Sequence, residues 1–243
     1  MADTRSYHIR RATSADGEKV LPMMQGAFFR DEPLNMAVGL VNDVETCPEL
    51  EQFCLEKLKE GLSLIAVGSN GDVVGACLNG CHKLGDVQQM EAQADICTNP
   101  KYRQILQFLA FLDRQADVFG KFPEISKVLE IHIVAVDSNW RGKGIATALL
   151  DRTRQIASEL GFKLIKADCT SYFSALAMRK LGAQCVFSMK YVDYCAPGSA
   201  EPVFKLESPH TAVQTFVQMV PRAPDAVKHN GVHKTGCLHE LDR

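Results

Sequence analysis

The chain has 243 residues, 46% of them hydrophobic and 23% charged, with a formal net charge of −2. That apolar content suffices for one substantial core, while the near-neutral balance leaves no basic footprint and makes a nucleic-acid partner unexpected. No stretch approaches the roughly 18 apolar residues of a membrane span, and the opening Met1-Ala2-Asp3-Thr4-Arg5-Ser6 has no apolar signal core, so a soluble, cytoplasmic protein with no membrane partner is expected. Residues 7–12 read as a short strand. Ser14 is a plausible N-cap for a helix over residues 15–29, whose stripe is Val20, Met23, Met24 and Ala27, and Pro33 ends it. A helix is predicted over residues 49–59, closed by Gly61. Strands follow over residues 62–67 and 73–78, joined by a turn whose Asn70-Gly71 pair favours a tight hairpin.

Residues 102–119 carry Ile105, Leu106, Leu109, Leu112 and Ala116 three or four apart and read as helix. The next strand, residues 130–136, is apolar on both faces apart from His132, as expected of a strand covered on each side. A helix through Ile145, Leu149, Ile156 and Leu160 stops at Gly161. It is followed by a strand at 164–167, a short helix at 171–181 capped by Gly182, an alternating strand through Cys185, Phe187, Met189 and Tyr191, and a last strand at 212–219. Hairpins first and strand-helix-strand units later imply an α/β fold, with a mixed central β-sheet flanked by helices on both sides. One domain over residues 1–220 is expected, with a polar tail over 221–243.

The junction between the strand ending at Val136 and the following helix carries the sharpest chemical signal. Its turn, Arg141-Gly142-Lys143-Gly144-Ile145-Ala146, places small residues at a helix start, where free N–H groups and roughly half a positive charge favour a pyrophosphate. A nucleoside-triphosphate loop would need four residues between its glycines and then Gly-Lys-Ser/Thr, which the turn lacks. A dinucleotide fingerprint fails at its third glycine, which would be Thr147, and five residues separate strand from first glycine where that fold turns at once. The remaining pattern, Arg/Gln-x-x-Gly-x-Gly/Ala, is satisfied by Arg141, Gly144 and Ala146. It resembles the acetyl-CoA signature of the GCN5-related N-acetyltransferase superfamily.

Two further segments narrow that resemblance: Phe28-Phe29-Arg30-Asp31-Glu32-Pro33-Leu34-Asn35, and Cys169-Thr170-Ser171-Tyr172-Phe173-Ser174-Ala175 with Lys180-Leu181-Gly182-Ala183. Together with the turn they are similar to the insect-type arylalkylamine N-acetyltransferases over about residues 7–220. The resemblance implies that fold, acetyl-CoA as co-substrate with no metal, and direct attack by a small-molecule amine of the dopamine, serotonin, tryptamine or octopamine type. It places the cofactor on the backbone of Val134, Ala135 and Val136 and on Arg141, Gly142, Lys143, Gly144, Ile145, Ala146 and Thr147. A primary ammonium with a pKa near ~10.4 leaves on the order of one molecule in a thousand neutral at pH 7, so a base is needed. By family pattern that base is Glu32. Ser174 matches the second of two family serines, whereas the first is Thr170 here, which keeps a hydroxyl and adds a methyl. Since a thiol of pKa near ~8.5 leaves tolerably as thiolate, hydrogen bonding to sulfur by Ser174 is expected in place of strong acid catalysis.

Each of these residues also has a plainer reading. Asp31 and Glu32 fit a helix end, and Thr170, Ser171 and Ser174 fit a helix cap. His132, on the strand flanking the thioester, is the rival base. Phe28, Phe29, Tyr172 and Phe173 lean towards an aromatic substrate, whereas acidic residues at the far end of the pocket would favour polyamines or other non-aromatic amines. A non-catalytic acyl-CoA-binding module is a third possibility. The nine cysteines, odd in number and irregularly spaced, read as reduced and mostly core; Cys77 and Cys81 read as packing residues. His229, His233, Cys237 and His239 in the tail lack a frame for a metal, Trp140 is expected to pack, and a monomer is expected.

Overall fold

The computed structural model describes residues 6–41, 46–196 and 198–221. The tail residues discussed above lie outside them. Seven strands form one sheet in the order β1-β2-β3-β4-β5-β7-β6. They are β1 (Tyr7–Arg11), β2 (Leu64–Gly68), β3 (Val73–Lys83), β4 (Lys127–Val136), β5 (Leu164–Cys169), β6 (Gln184–Lys190) and β7 (Ala212–Met219). Only β4 and β5 pair in parallel, and every other neighbour is antiparallel, so the sheet is mixed as expected. The crossover between those two strands is helix α7 (Ile145–Glu159), which buries Ile145, Leu149, Leu150 and Ile156 on one face of the sheet. The opposite face is covered by α1 (Gly17–Met24), α3 (Pro48–Lys59) and α5 (Pro100–Ala116). Short helices α2 (Pro33–Val38), α4 (Asp86–Ile96), α6 (Val118–Lys121) and α8 (Tyr172–Lys180) complete the architecture.

Several boundaries differ from the sequence expectation, each for a local reason. The first helix is capped by Thr13 and not Ser14: Asp16 closes a reciprocal box with Thr13 and also binds Arg10 at 2.6 Å. It does not run as regular α-helix to Phe29, since Gln25–Phe29 is wound as π-helix, a geometry that clusters at functional sites. Pro33 opens α2 at its first turn, where its missing N–H costs nothing, and Glu32 is the N-cap. The helix predicted over 102–119 stops at Ala116, because Asp117 adopts φ 42° and its carboxylate accepts the Gly120 N–H to cap α6. Helix α4 escapes a periodicity search because it buries only Ala94. Of the eight described cysteines, five are buried and all are free thiols.

The β-sheet contains one irregularity with functional weight. Leu78 pairs with Ile133 and Asn79 with Ile131, leaving His132 as an extra residue in β4. This bulge breaks the in-out alternation, so that four consecutive residues, Glu130 to Ile133, all reach one cavity. No described helix is long and apolar enough to cross a membrane.

Candidate active site

Parallel pairing between β4 and β5 extends only from Leu129↔Ile165 to Ile131↔Ala167. Beyond it the strands part, and the β4 edge through Val134, Ala135 and Val136 faces the opening while its other edge stays bound to β3. Just past Val136 lies the turn. Gly142 and Gly144 adopt φ 77° and 75°, the left-handed region that favours glycine, and a Cβ at either would meet nothing within 4 Å. Conformation, not crowding, therefore selects glycine there. Gly144 caps α7 without a side-chain hydrogen bond, and Ala148 is the first residue to donate back, to the Gly144 carbonyl at 2.9 Å. The N–H groups of Ile145, Ala146 and Thr147 are thus the orphan donors of a helix start. The Ile145 side chain packs against the sheet beside Gly75, while Lys143 holds its ammonium 4.9 Å from the Trp140 ring centroid. Trp140 itself packs over Gly68, as expected.

Arg141 links this turn to the acidic motif. Its guanidinium binds Asp31 at 2.5 Å and also reaches the carbonyls of Val136 and Ala27. The next residue, Glu32, is 8% exposed. Its Oε2 accepts the Asn35 N–H at 2.7 Å, whereas Oε1 has no hydrogen-bond partner. Burial pushes this carboxyl up to about 7, against the opposing influence of the Asn35 amide, the Thr170 hydroxyl and the Leu34 amide. A carboxyl that titrates near neutrality with one free oxygen is suited to take a proton from an amine.

Glu32 and Thr170 line a cavity of about 810 Å³, bounded by the 28–35 segment, α3, α4, α5 and strand β4. Leu34, Leu50, Phe53, Ile105 and Leu109 give it apolar walls. Tyr191, buried behind Thr170, donates its hydroxyl to the Thr170 carbonyl at 2.6 Å and so fixes the residue that follows β5. Ser174 is not in this wall. Its hydroxyl donates to the Ser171 carbonyl at 2.9 Å and accepts the Ser171 N–H at 3.3 Å, half of a reciprocal cap on α8. Of the four aromatic residues expected to flank a substrate ring, only Phe28 lines the cavity. Phe29 is a core residue, and Tyr172 and Phe173 are exposed, meeting edge to face, with Phe173 also edge-on to His210. The short helix turns those two rings outward.

His132 lies in the cavity wall with Phe53 edge-on at 5.4 Å, and burial brings it down to about 4 despite Glu130 nearby. At neutral pH it is an uncharged imidazole, a weaker base than Glu32. Beneath it sits a cluster that sequence reading missed. Lys166, fully buried, binds Glu130 at 2.7 Å and both Asp113 and Asp168 at 2.9 Å. His82 approaches Asp113 at 3.2 Å and Glu130 at 3.5 Å. Burial alone would discharge these groups, but Lys166, with His82 beside it, holds Glu130 well below the usual carboxylate range, and the carboxylates hold Lys166 well above its own. The available signal was the pattern of charges at alternate positions, Glu130 on one strand and Lys166 and Asp168 on the next, inside strands otherwise buried on both faces.

A sheet parted at two parallel strands, a helix start with free amides at its mouth and a buried carboxyl titrating near 7 behind it are the features that an acyl-CoA transferase needs. The Acetyltransferase (GNAT) family matches residues 30–182. The chain belongs to that family of acetyl-CoA-dependent acetyltransferases. Among solved structures it is similar to arylalkylamine N-acetyltransferase 2 from Aedes aegypti, with 28% identity over 89% of this chain and 100% of that one and a TM-score of 0.83. Mosquito arylalkylamine N-acetyltransferase like 5b is 28% identical over 88% of this chain and 100% of its own, at a TM-score of 0.80. A Drosophila melanogaster polyamine N-acetyltransferase that catalyses formation of N-acetylagmatine is 26% identical over 88% and 100%, also at 0.80.

Proposed function

We propose that this acetyltransferase acts on the primary amine of small molecules, with arylalkylamines as the first substrate class, and that Glu32 is its general base. The observation that carries this reading is the free Oε1 of a buried carboxyl titrating near 7 in the wall of an apolar cavity. In the proposed reaction Glu32 binds the ammonium, accepts its proton and leaves a neutral nitrogen facing the parted strands. Amides of residues 142–147 hold the diphosphate of acetyl-CoA, and the open edge of Val134, Ala135 and Val136 aligns the acyl-bearing arm and steadies the developing oxyanion. Glycine-only backbone, free donors and an unfilled strand edge fit that co-substrate. Thr170 orients the amine beside Glu32. Ser174 reaches the sulfur by exchanging its bond to the Ser171 carbonyl, a role that competes with its capping.

A second reading, polyamines or other non-aromatic amines, is favoured by the carboxylates at the cavity floor and by the outward-facing Tyr172 and Phe173. The discriminating experiment is release of free thiol from acetyl-CoA with a panel of tryptamine, dopamine, histamine, spermine and a lysine peptide. Highest kcat/KM for the aromatic amines supports the first reading. Preference for spermine transfers the assignment to the second, and coenzyme binding without turnover on any amine removes the catalytic reading.

A further inference from the structure

The peptide that joins β5 to α8 is held from both sides. The ladder between β5 and β7 ends at the pair Cys169↔Gln214, so the Thr170 carbonyl lies one residue past the last strand partner. A phenol takes the place of the missing ladder donor: the Tyr191 hydroxyl donates to that carbonyl at 2.6 Å. The N–H of the same peptide, which belongs to Ser171, donates to Ser174 Oγ at 3.3 Å. A peptide unit is planar, with its C=O and N–H pointing apart. The two bonds therefore fix one plane and, with β5 fixing the other side of the residue, the direction in which the Thr170 side chain leaves the backbone.

Tyr191 is itself firmly anchored. It follows β6 directly, is 1% exposed, and its N–H donates to the Thr211 carbonyl at 3.1 Å. Its ring lies against Phe108 and Phe204, with centroids 5.8 and 6.0 Å away. Burial, and the Glu32 carboxylate after it, push the phenol well above its ordinary range, so it stays a donor through neutral pH. Thr170 and Glu32 line the cavity, whereas Tyr191 stands behind that wall. The Thr170 hydroxyl is in turn one of the groups that draw the Glu32 titration down against burial.

We propose that Tyr191 is a positioning residue of the transfer reaction: from behind the cavity wall its hydroxyl sets the Thr170–Ser171 peptide and so holds the Thr170 side chain beside Glu32. The proposal rests on the acetyltransferase reading above and adds to it a residue that acts only through another. Without the hydroxyl the peptide is free to rotate, and Thr170 no longer presents one orientation to the amine. Misplacement of a positioning group by about 1 Å can cost on the order of 10²-fold in rate.

The test is Tyr191→Phe in the full chain, which keeps the buried ring and deletes only the donor, assayed by thiol release from acetyl-CoA with the best amine of the panel above. The kcat is expected to fall about tenfold or more, while the KM for acetyl-CoA changes by less than about twofold. In a Thr170→Ala background the same substitution should have no further effect on kcat, because no hydroxyl is left to position; a double-mutant cycle measures that coupling. Phe204→Leu disturbs the same aromatic cluster without touching the peptide, and it should lower the melting temperature yet leave kcat within about twofold. The proposal is overturned if Tyr191→Phe turns over at the wild-type rate, if its kcat loss is as large without the Thr170 hydroxyl as with it, or if Phe204→Leu loses kcat to the same extent. A wild-type chain that releases no thiol with any amine of the panel refutes the acetyltransferase reading itself, a different outcome from indifference to the phenol.

Discussion

Replacing Glu32 by Gln separates the chemistry of the carboxylate from its cost to the fold. The carboxyl rises from an ordinary 4.5 to about 7 because it is buried. A raised folded-state pKa means that ionisation opposes folding: the penalty is absent below pH 4.5, grows through the interval, and is complete above about 7. Its full size corresponds to about 3 kcal/mol. Gln keeps an acceptor for the Asn35 N–H and carries no charge, so at pH 8 the variant should melt several degrees above the wild type, and the two should converge towards pH 5. Activity should move the opposite way. Loss of a positioned base lowers kcat/KM by about 10²–10⁴-fold, and the acid limb near pH 7 in the wild-type profile disappears. Thermal melts from pH 5 to 8, paired with thiol-release kinetics across the same range, make the measurement. A melting difference that does not vary with pH, or an acid limb that survives the substitution, refutes the reasoning.

Gly144→Ala forces a side chain into φ 75° at the start of α7, which costs about 1–2 kcal/mol; the KM for acetyl-CoA should rise about tenfold while the KM for amine changes little. Ser174→Ala removes half of the α8 cap and should cost about 1 kcal/mol in chemical denaturation. A kcat loss beyond about tenfold would show the hydroxyl acting on sulfur, whereas a normal kcat would leave it a cap only. Lys166→Met strands three carboxylates without their cation, and a loss of about 3–5 kcal/mol is expected by urea denaturation; a neutral result would mean that the cluster is solvated in the folded protein.

The elements and the mixed character of the sheet were legible from the sequence wherever apolar patterning was strong, as in β4, α7 and β5, and the glycine turn at the start of α7 was legible because glycine spacing at a helix start constrains few alternatives. What escaped did so for physical reasons. Helix α4 buries a single residue, so it has no stripe to detect, yet it supplies a wall of the cavity. The extra residue at His132 follows from register against β3, which one strand's sequence does not contain. Lys166 and Asp113 meet only through the packing of α5 on the sheet. Glu32 was singled out by motif, but its free oxygen and raised titration depend on its burial in the folded chain, which is a tertiary property.

The parting of β4 from β5 leaves the sheet one rung short of complete, and in the proposed reaction the acyl-bearing arm of the co-substrate supplies it. Any molecule that lies along that edge binds only the folded chain, and at a hundred times its dissociation constant it adds about 2.7 kcal/mol to stability. Resistance to heat and proteolysis therefore follows the supply of that molecule, so the lifetime of the protein becomes a readout of the metabolite it consumes.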